Sequence, residues 1–258
     1  TRQSAKPVTL PATAVAPTAA ERGCAGRLAR LPLSLRDSFL MLNSKLPDVG
    51  VTIFTVMSRL AAEHQAVNLG QGYPDFDPDP ELLSLVNRAM LDGQNQYAFM
   101  PGIAALREAI ALKTTRLYGS NYHADSEITV TSGATQALMT AILACVHTGD
   151  EVIVLEPNYD SYVPAIRLAG GIPVPVALTP PSPLQPTFRP DWDKVRAAIT
   201  PRTRLLMINF PHNPTGAVLN DADLDALERI VAETGVYLHV LPHRPQAAVR
   251  TLHWSTSP

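Results

Sequence analysis

Two runs of four apolar residues, Val152-Ile153-Val154-Leu155 and Leu205-Leu206-Met207-Ile208, constrain the fold of this chain more than any other feature. A strand with one face in water alternates apolar and polar side chains. A strand that is apolar at every position must be covered on both faces, as in a parallel sheet. The stretches around these runs alternate in the same sense. Residues 128–131 form a short β-branched run, and a helical stretch follows with Ala134, Ala137, Leu138, Ala141, Ile142 and Cys145 on one face. After the run at 152–155, residues 159–168 read as a helix, Gly170-Gly171 breaks it, and residues 172–176 read as a strand. The Pro-rich segment 179–190 reads as a surface connection. Beyond the run at 205–208, Asn220 caps a helix in which Leu224, Leu227 and Val231 share a face; Gly235 ends it, and a further strand begins over 236–238. Strands separated by helices predict a three-layer α/β/α sandwich on a mainly parallel sheet.

The front of the chain has a different character. Residues 1–43 are rich in Ala, Pro, Thr and Arg, carry six basic residues against Glu21 and Asp37, and show no lasting period. They read as a disordered leader or translated upstream sequence, with Met41 near the start of the ordered chain. The alternative is an organelle transit peptide, which is also Arg-rich and acid-poor. A first residue of Thr1 is expected of a fragment or of a translation without its own start. From about Ser44 the pattern is globular. Ile53, Phe54, Met57, Leu60 and Ala61 fall at helical spacing, residues 81–91 form a helical run after a Pro-Asp cluster, and Pro101-Gly102 precedes a helix carried by Ile103, Leu106, Ile110 and Leu117.

Composition narrows the partners. With 46% hydrophobic and 17% charged residues and a net charge of -2, no basic surface argues for nucleic acid, and no apolar run is long enough to span a bilayer. Cys24 and Cys145 give neither a disulfide framework nor metal-ligand spacing. A reducing, cytoplasmic location is expected.

Ligands of parallel α/β sheets bind at the carboxyl ends of the strands, and three unusual clusters lie there. Ser132-Gly133-Ala134-Thr135 is a strand-to-helix turn whose free N–H groups and positive dipole end suit a phosphate, although an ordinary turn has the same outline. Glu156-Pro157-Asn158-Tyr159 follows one apolar run. Asn209-Phe210-Pro211-His212-Asn213-Pro214-Thr215-Gly216 follows the other; its two prolines and glycine stiffen a loop that aims Asn213 at a ligand. The alternative for Asn213 is a Pro-rich turn in which it caps its own backbone. His212 is expected to be a solvated loop histidine.

Asn213-Pro214-Thr215-Gly216 in this setting resembles the signature of the class I and II aminotransferases of the aspartate aminotransferase fold type. Other segments resemble that family in the same order: the substrate-side loop Asn68-Leu69-Gly70-Gln71-Gly72-Tyr73-Pro74-Asp75-Phe76, the block from Gln96-Tyr97 through Gly102 to Leu106-Arg107, and the phosphate turn at Ser132. Ser44-Lys45-Leu46-Pro47, Thr52-Ile53-Phe54 and Tyr159-Asp160-Ser161-Tyr162 bring it nearest to methionine and kynurenine aminotransferases, over about residues 44–238. The resemblance implies pyridoxal 5'-phosphate as cofactor, amino-acid and 2-oxo-acid substrates, and a homodimer. It implies that Gly133, Ala134 and Thr135 hold the cofactor phosphate, that Tyr159 stacks on the pyridine ring, and that Asn213 bonds the ring's phenolic oxygen. Gly70 would lie beside the substrate carboxylate, and Tyr97 would reach the phosphate of the neighbouring subunit's cofactor. For Tyr162 core packing is a serious rival role.

The resemblance also implies an aspartate, a lysine that forms the Schiff base, and a carboxylate-binding arginine. This sequence has no acidic residue after Glu233 and no lysine after Lys194, and nothing around Arg244 or Arg250 matches the family arginine. No catalytic residue is therefore assigned. Residues 239–258 show little period, and His239, His243 and His253 are poorly spaced for a metal. They are expected to be a non-family tail, read from a shifted frame rather than a genuine domain end. The expected organisation is a leader over 1–43, an arm and small-domain segment over 44–72, a partial cofactor-binding large domain over 73–238, and the tail. The expected function is amino-group transfer from a hydrophobic or sulfur-containing amino acid, without turnover in this form. A carbon–sulfur lyase of the same fold and a non-catalytic fragment are the alternatives.

Overall fold

The computed structural model describes residues 43–72 and 76–241. The segment expected as a leader, apart from Leu42's successor Asn43, therefore lies outside the described residues, as do Tyr73, Pro74 and Asp75 and the tail from Pro242 onward. The chain divides into two compact units, Thr1–Pro47 and Asp48–Pro258. In the first, the Leu46 amide donates to the Ser44 hydroxyl at 3.0 Å. All the elements that follow belong to the second.

Among the described residues three helices come first: α1 (Ile53–Glu63), α2 (Pro80–Leu91) and α3 (Ala104–Tyr118). Their starts are legible in the residues. Thr52 accepts from the Thr55 amide ahead of α1, and Asp79 accepts from the Glu81 amide ahead of α2 at 2.8 Å. Pro80 opens α2, where its fixed φ is already helical and its missing N–H costs nothing. α3 stops at Gly119, which is left-handed at φ 67°. Neither α1 nor α2 buries a residue.

The rest alternates: α4 (Gly133–Cys145), β1 (Glu151–Glu156), α5 (Tyr162–Leu168), β2 (Ile172–Ala177), α6 (Trp192–Ala197), β3 (Thr203–Asn209), α7 (Asp221–Thr234) and β4 (Tyr237–Leu241). The strands form one parallel sheet in the order β2-β1-β3-β4. Ile172 and Leu178 donate their amides to Asp150 and Glu156, so alternate residues of β2 face β1. Pro173 and Pro175 then face outward, where a missing N–H does no harm, and this suits β2 to the sheet edge.

Period-two alternation splits the apolar runs between two cores. Val152, Val154, Leu205 and Met207 pack with Leu138 and Ile142 of α4 and Tyr162, Ala165 and Ile166 of α5. Ile153, Leu155, Leu206 and Ile208 pack with Val195 of α6 and Leu227 and Ile230 of α7. The result is the expected three layers. The faces also follow from the topology. The step β1 to β2 runs one way along the sheet, and the steps β2 to β3 and β3 to β4 run the other way. Crossovers of one hand must then put α5 opposite α6 and α7. Each fully buried Val, Leu or Ile contributes about 1.5–3 kcal/mol, whereas an exposed ion pair such as Arg59–Glu63 contributes under about 1 kcal/mol. The two apolar layers dominate. Every buried hydrophobic side chain among the described residues falls between Leu138 and Val236.

Four local expectations need correction. Residues 128–131 form no strand: the Val130 amide donates to the Pro101 carbonyl at 2.9 Å, the Thr131 carbonyl accepts only from the nearby Gly133 amide at 2.8 Å, and one cross-chain bond makes no ladder. The helix expected from 159 begins at Tyr162. The six-residue α6 was not foreseen; it is too short to show a period and is fixed by Asp191 accepting from the Lys194 amide at 3.1 Å. Strand β4 continues through His239 and Val240 to Leu241, pairing with Met207, Ile208 and Asn209, although these residues were expected to lack strand character.

Candidate functional site at the strand ends

The sheet order reverses direction at β1, so the carboxyl ends of β1 and β3 flank a topological switch point, the usual position of a ligand crevice in such sheets. Two chain segments leave there. Glu156-Pro157-Asn158-Tyr159 follows β1, and Phe210 to Gly216 follows β3; the three cis peptide bonds among the described residues, Glu156-Pro157, Phe210-Pro211 and Asn213-Pro214, all lie in these segments.

The start of α4 reaches the same place. The Thr135 hydroxyl lies 3.4 Å from the Tyr159 hydroxyl. Gly133 is left-handed at φ 77°, and a Cβ built on it would meet no atom within 4 Å. The Ser132 side chain makes no cap, and the Gln136 side chain takes up only the Ser132 amide. The amides of Ala134 and Thr135, at the second and third helical positions, precede the first intrahelical acceptor. An uncapped helix start, open space over Gly133 and an exposed hydroxyl together fit a phosphate group.

Tyr159 is half-buried, with its ring edge-to-face against Tyr162 at 5.7 Å and 77°. Tyr162 is a core residue, and its hydroxyl is bonded by the side chain of Asn209, itself buried at the end of β3. Burial pushes the Tyr162 hydroxyl up to about 12, so it stays protonated. Core packing, the rival role for this tyrosine, is the one it plays. Sequence reasoning passed over Asn209; an amide closing an apolar strand run was the available signal.

Asn213 is half-buried in a loop that closes on itself. The His212 amide donates to the Ala217 carbonyl at 2.8 Å, and the Gly216 amide to the His212 carbonyl at 2.7 Å. His212 was expected to be a solvated loop histidine and is instead buried, 4% exposed, because its loop folds it inward. Its ring lies 5.4 Å from that of Phe210, its Nδ1 is 2.9 Å from Thr215 Oγ1, and a ring N–H donates to the Leu155 carbonyl. Burial holds the imidazole below its ordinary pKa, and the Leu155 carbonyl opposes that only in part.

Gly70 and Tyr97 do not belong to this cluster. The loop carrying Gly70 is tied to α1, with Asn68 donating to Ser58 at 3.1 Å and accepting from the Gly70 amide at 3.0 Å. Beside it lies an apolar groove of about 290 Å³ lined by Met57, Leu60, Ala61 and His64. Tyr97 is 102% exposed. Among the described residues no group of His, Cys, Asp and Glu is arranged to hold a metal, and no helix is long and apolar enough to cross a membrane.

The model of the family Aminotransferase class I and II matches residues 64–240, which includes all the strand-end segments. The chain belongs to the class I and II aminotransferases. The chain is 52% identical over 199 residues to the methionine aminotransferase of Escherichia coli (strain K12), covering 77% of this chain and 50% of that protein. A solved Escherichia coli structure with a methionine aminotransferase function superposes with a TM-score of 0.72 at 52% identity, over 79% of this chain and 51% of that one. The N-succinyldiaminopimelate aminotransferase structure from Mycobacterium tuberculosis superposes with a TM-score of 0.73 at 44% identity, over 77% and 51%. The chain thus spans about half the length of the relatives it matches.

Proposed function

We propose that the crevice at the ends of β1 and β3 binds pyridoxal 5'-phosphate, and that the whole protein transfers an amino group from methionine or another large apolar amino acid to a 2-oxo acid. The approach of Thr135 and Tyr159 at the uncapped start of α4, beside the Asn213 loop, carries this proposal. The cofactor, when bound, supplies the electron sink that the transfer requires. Gly133, Ala134 and Thr135 offer its phosphate two helix-start amides and a hydroxyl. Tyr159 offers a ring face that replaces water, and Tyr162 holds that ring from its edge. Asn213 offers a neutral amide donor for the ring oxygen. Gly70 would leave room for the substrate carboxylate, and the wholly exposed Tyr97 would reach the cofactor phosphate of a second copy in a homodimer. No lysine follows Lys194, so these 258 residues by themselves are proposed to bind without turnover.

Titration of the purified chain with pyridoxal phosphate, followed by visible circular dichroism, tests this. The expected result is saturable binding that Thr135→Val and Tyr159→Leu each weaken about tenfold, with no stoichiometric lysine adduct after borohydride reduction. Binding that neither substitution alters would overturn the assignment.

A further inference from the structure

His212 is a buried side chain to which neither the cofactor contacts nor the core assigns a role. It stands next to Asn213 in sequence, yet its ring turns away into the protein and links its own loop to β1. On one side Nδ1 is 2.9 Å from Thr215 Oγ1, within its own loop. On the other the ring donates to the carbonyl of Leu155, near the end of β1 and four residues before Tyr159.

The hydrogen positions follow from the partners. A carbonyl only accepts, so the nitrogen facing Leu155 carries a hydrogen. With Nδ1 engaged by Thr215, that nitrogen is Nε2. In the neutral ring Nδ1 then accepts from the Thr215 hydroxyl, whose oxygen keeps a lone pair for the Ala217 amide at 3.3 Å. In the chain Leu155–His212–Thr215–Ala217 the Leu155 carbonyl and Nδ1 accept, Nε2–H and the Ala217 amide donate, and the Thr215 hydroxyl does both. A phenyl ring of similar size would fill the space beside Phe210 but would leave the Leu155 carbonyl and the Thr215 hydroxyl without this partner.

We propose that His212 is a positioning residue: by bridging Thr215 to Leu155 it locks the loop that carries Asn213 onto the end of β1, and so fixes Asn213 relative to Tyr159. This rests on the proposed roles of Asn213 and Tyr159 as cofactor contacts. A small change of loop angle moves the Asn213 amide by a distance that matters to a hydrogen bond, whereas the sheet beneath is held by two apolar cores and does not need the bridge.

The test compares the 258-residue chain with His212→Gln, which offers both an N–H donor and an oxygen acceptor, and His212→Phe, which keeps only the bulk. Three readouts are taken. Long-range 1H–15N spectra of the imidazole are expected to show the neutral Nε2–H tautomer; an Nδ1–H ring or an averaged one would overturn the bridge. The Asn213 side-chain amide resonances are expected to stay sharp and near their original shifts in His212→Gln and to shift and broaden in His212→Phe. Pyridoxal phosphate is expected to bind about tenfold more weakly to His212→Phe than to His212→Gln. Equal behaviour of the two variants in the amide spectra would reduce His212 to packing and end the proposal. If the unsubstituted chain binds no pyridoxal phosphate, the cofactor assignment fails, while the amide spectra still decide whether His212 positions Asn213.

Discussion

A methyl group at position 102 has nowhere to go. Gly102 is left-handed at φ 100°, and a Cβ there would lie 2.6 Å from Cγ2 of Val130. The turn is also held from inside by Arg107, only 6% exposed, which donates to the carbonyls of Gly102 at 3.1 Å and Ala124 at 2.6 Å and pairs with Asp125. Gly102→Ala is therefore expected to destabilise the chain by about 2 kcal/mol, combining backbone strain with overpacking. Adding Val130→Ala should recover part of that loss and not all of it, since the φ strain remains; urea denaturation of the single and double variants measures both. An equal loss in the two backgrounds would show that the contact with Val130 is immaterial. Pro101-Gly102 was legible in the sequence as a chain break because both residues punctuate structure by themselves. The burial of Arg107 was not, since a charged residue buries only where several carbonyls converge on it. His212 escaped for the same kind of reason: what covers it is the end of β1, distant in sequence.

Among the elements, β1 and β3 are buried on both faces, while α1 and α2 bury nothing and expose Ile53, Met57, Leu60, Leu82, Leu85 and Val86. Local stability follows burial. Hydrogen exchange followed by mass spectrometry is expected to show α1 and α2 exchanging within seconds, with β1 and β3 protected at least a hundredfold longer; comparable protection in all four would contradict the structure. The central strands were the most legible part of the sequence, because a four-residue apolar run has few other uses. α2 was legible through its cap, since Asp79 and Pro80 announce a helix start whatever the helix packs against. The failures were elements without a signal of their own. Residues 128–131 have strand-like side chains but no ladder partner, and α6 depends on one capping aspartate and a single buried valine.

At the scale of the whole molecule, the proposed preference for a large apolar amino acid rests on what the arm around α1 offers. A dicarboxylate needs a second cation near its side chain, and residues 68–76 contain no Arg or Lys. The groove beside Gly70 is instead apolar. Joining this chain after β4 to the C-terminal half of the Mycobacterium tuberculosis relative is expected to give an enzyme whose kcat/KM for methionine exceeds that for aspartate at least tenfold, about 1.4 kcal/mol. A preference for aspartate in that chimera would refute the assignment. Among the described residues, the confinement of the buried apolar side chains to the span from Leu138 to Val236 has a further consequence, this time for digestion. A protease finds its purchase where little holds the backbone down. Brief cleavage should trim the chain in front of α4 before it cuts any strand, and leave a resistant piece that still carries Thr135, Tyr159 and Asn213 together. The turn, the tyrosine and the amide loop proposed to hold the cofactor would travel as one cassette, separable from the arm around α1.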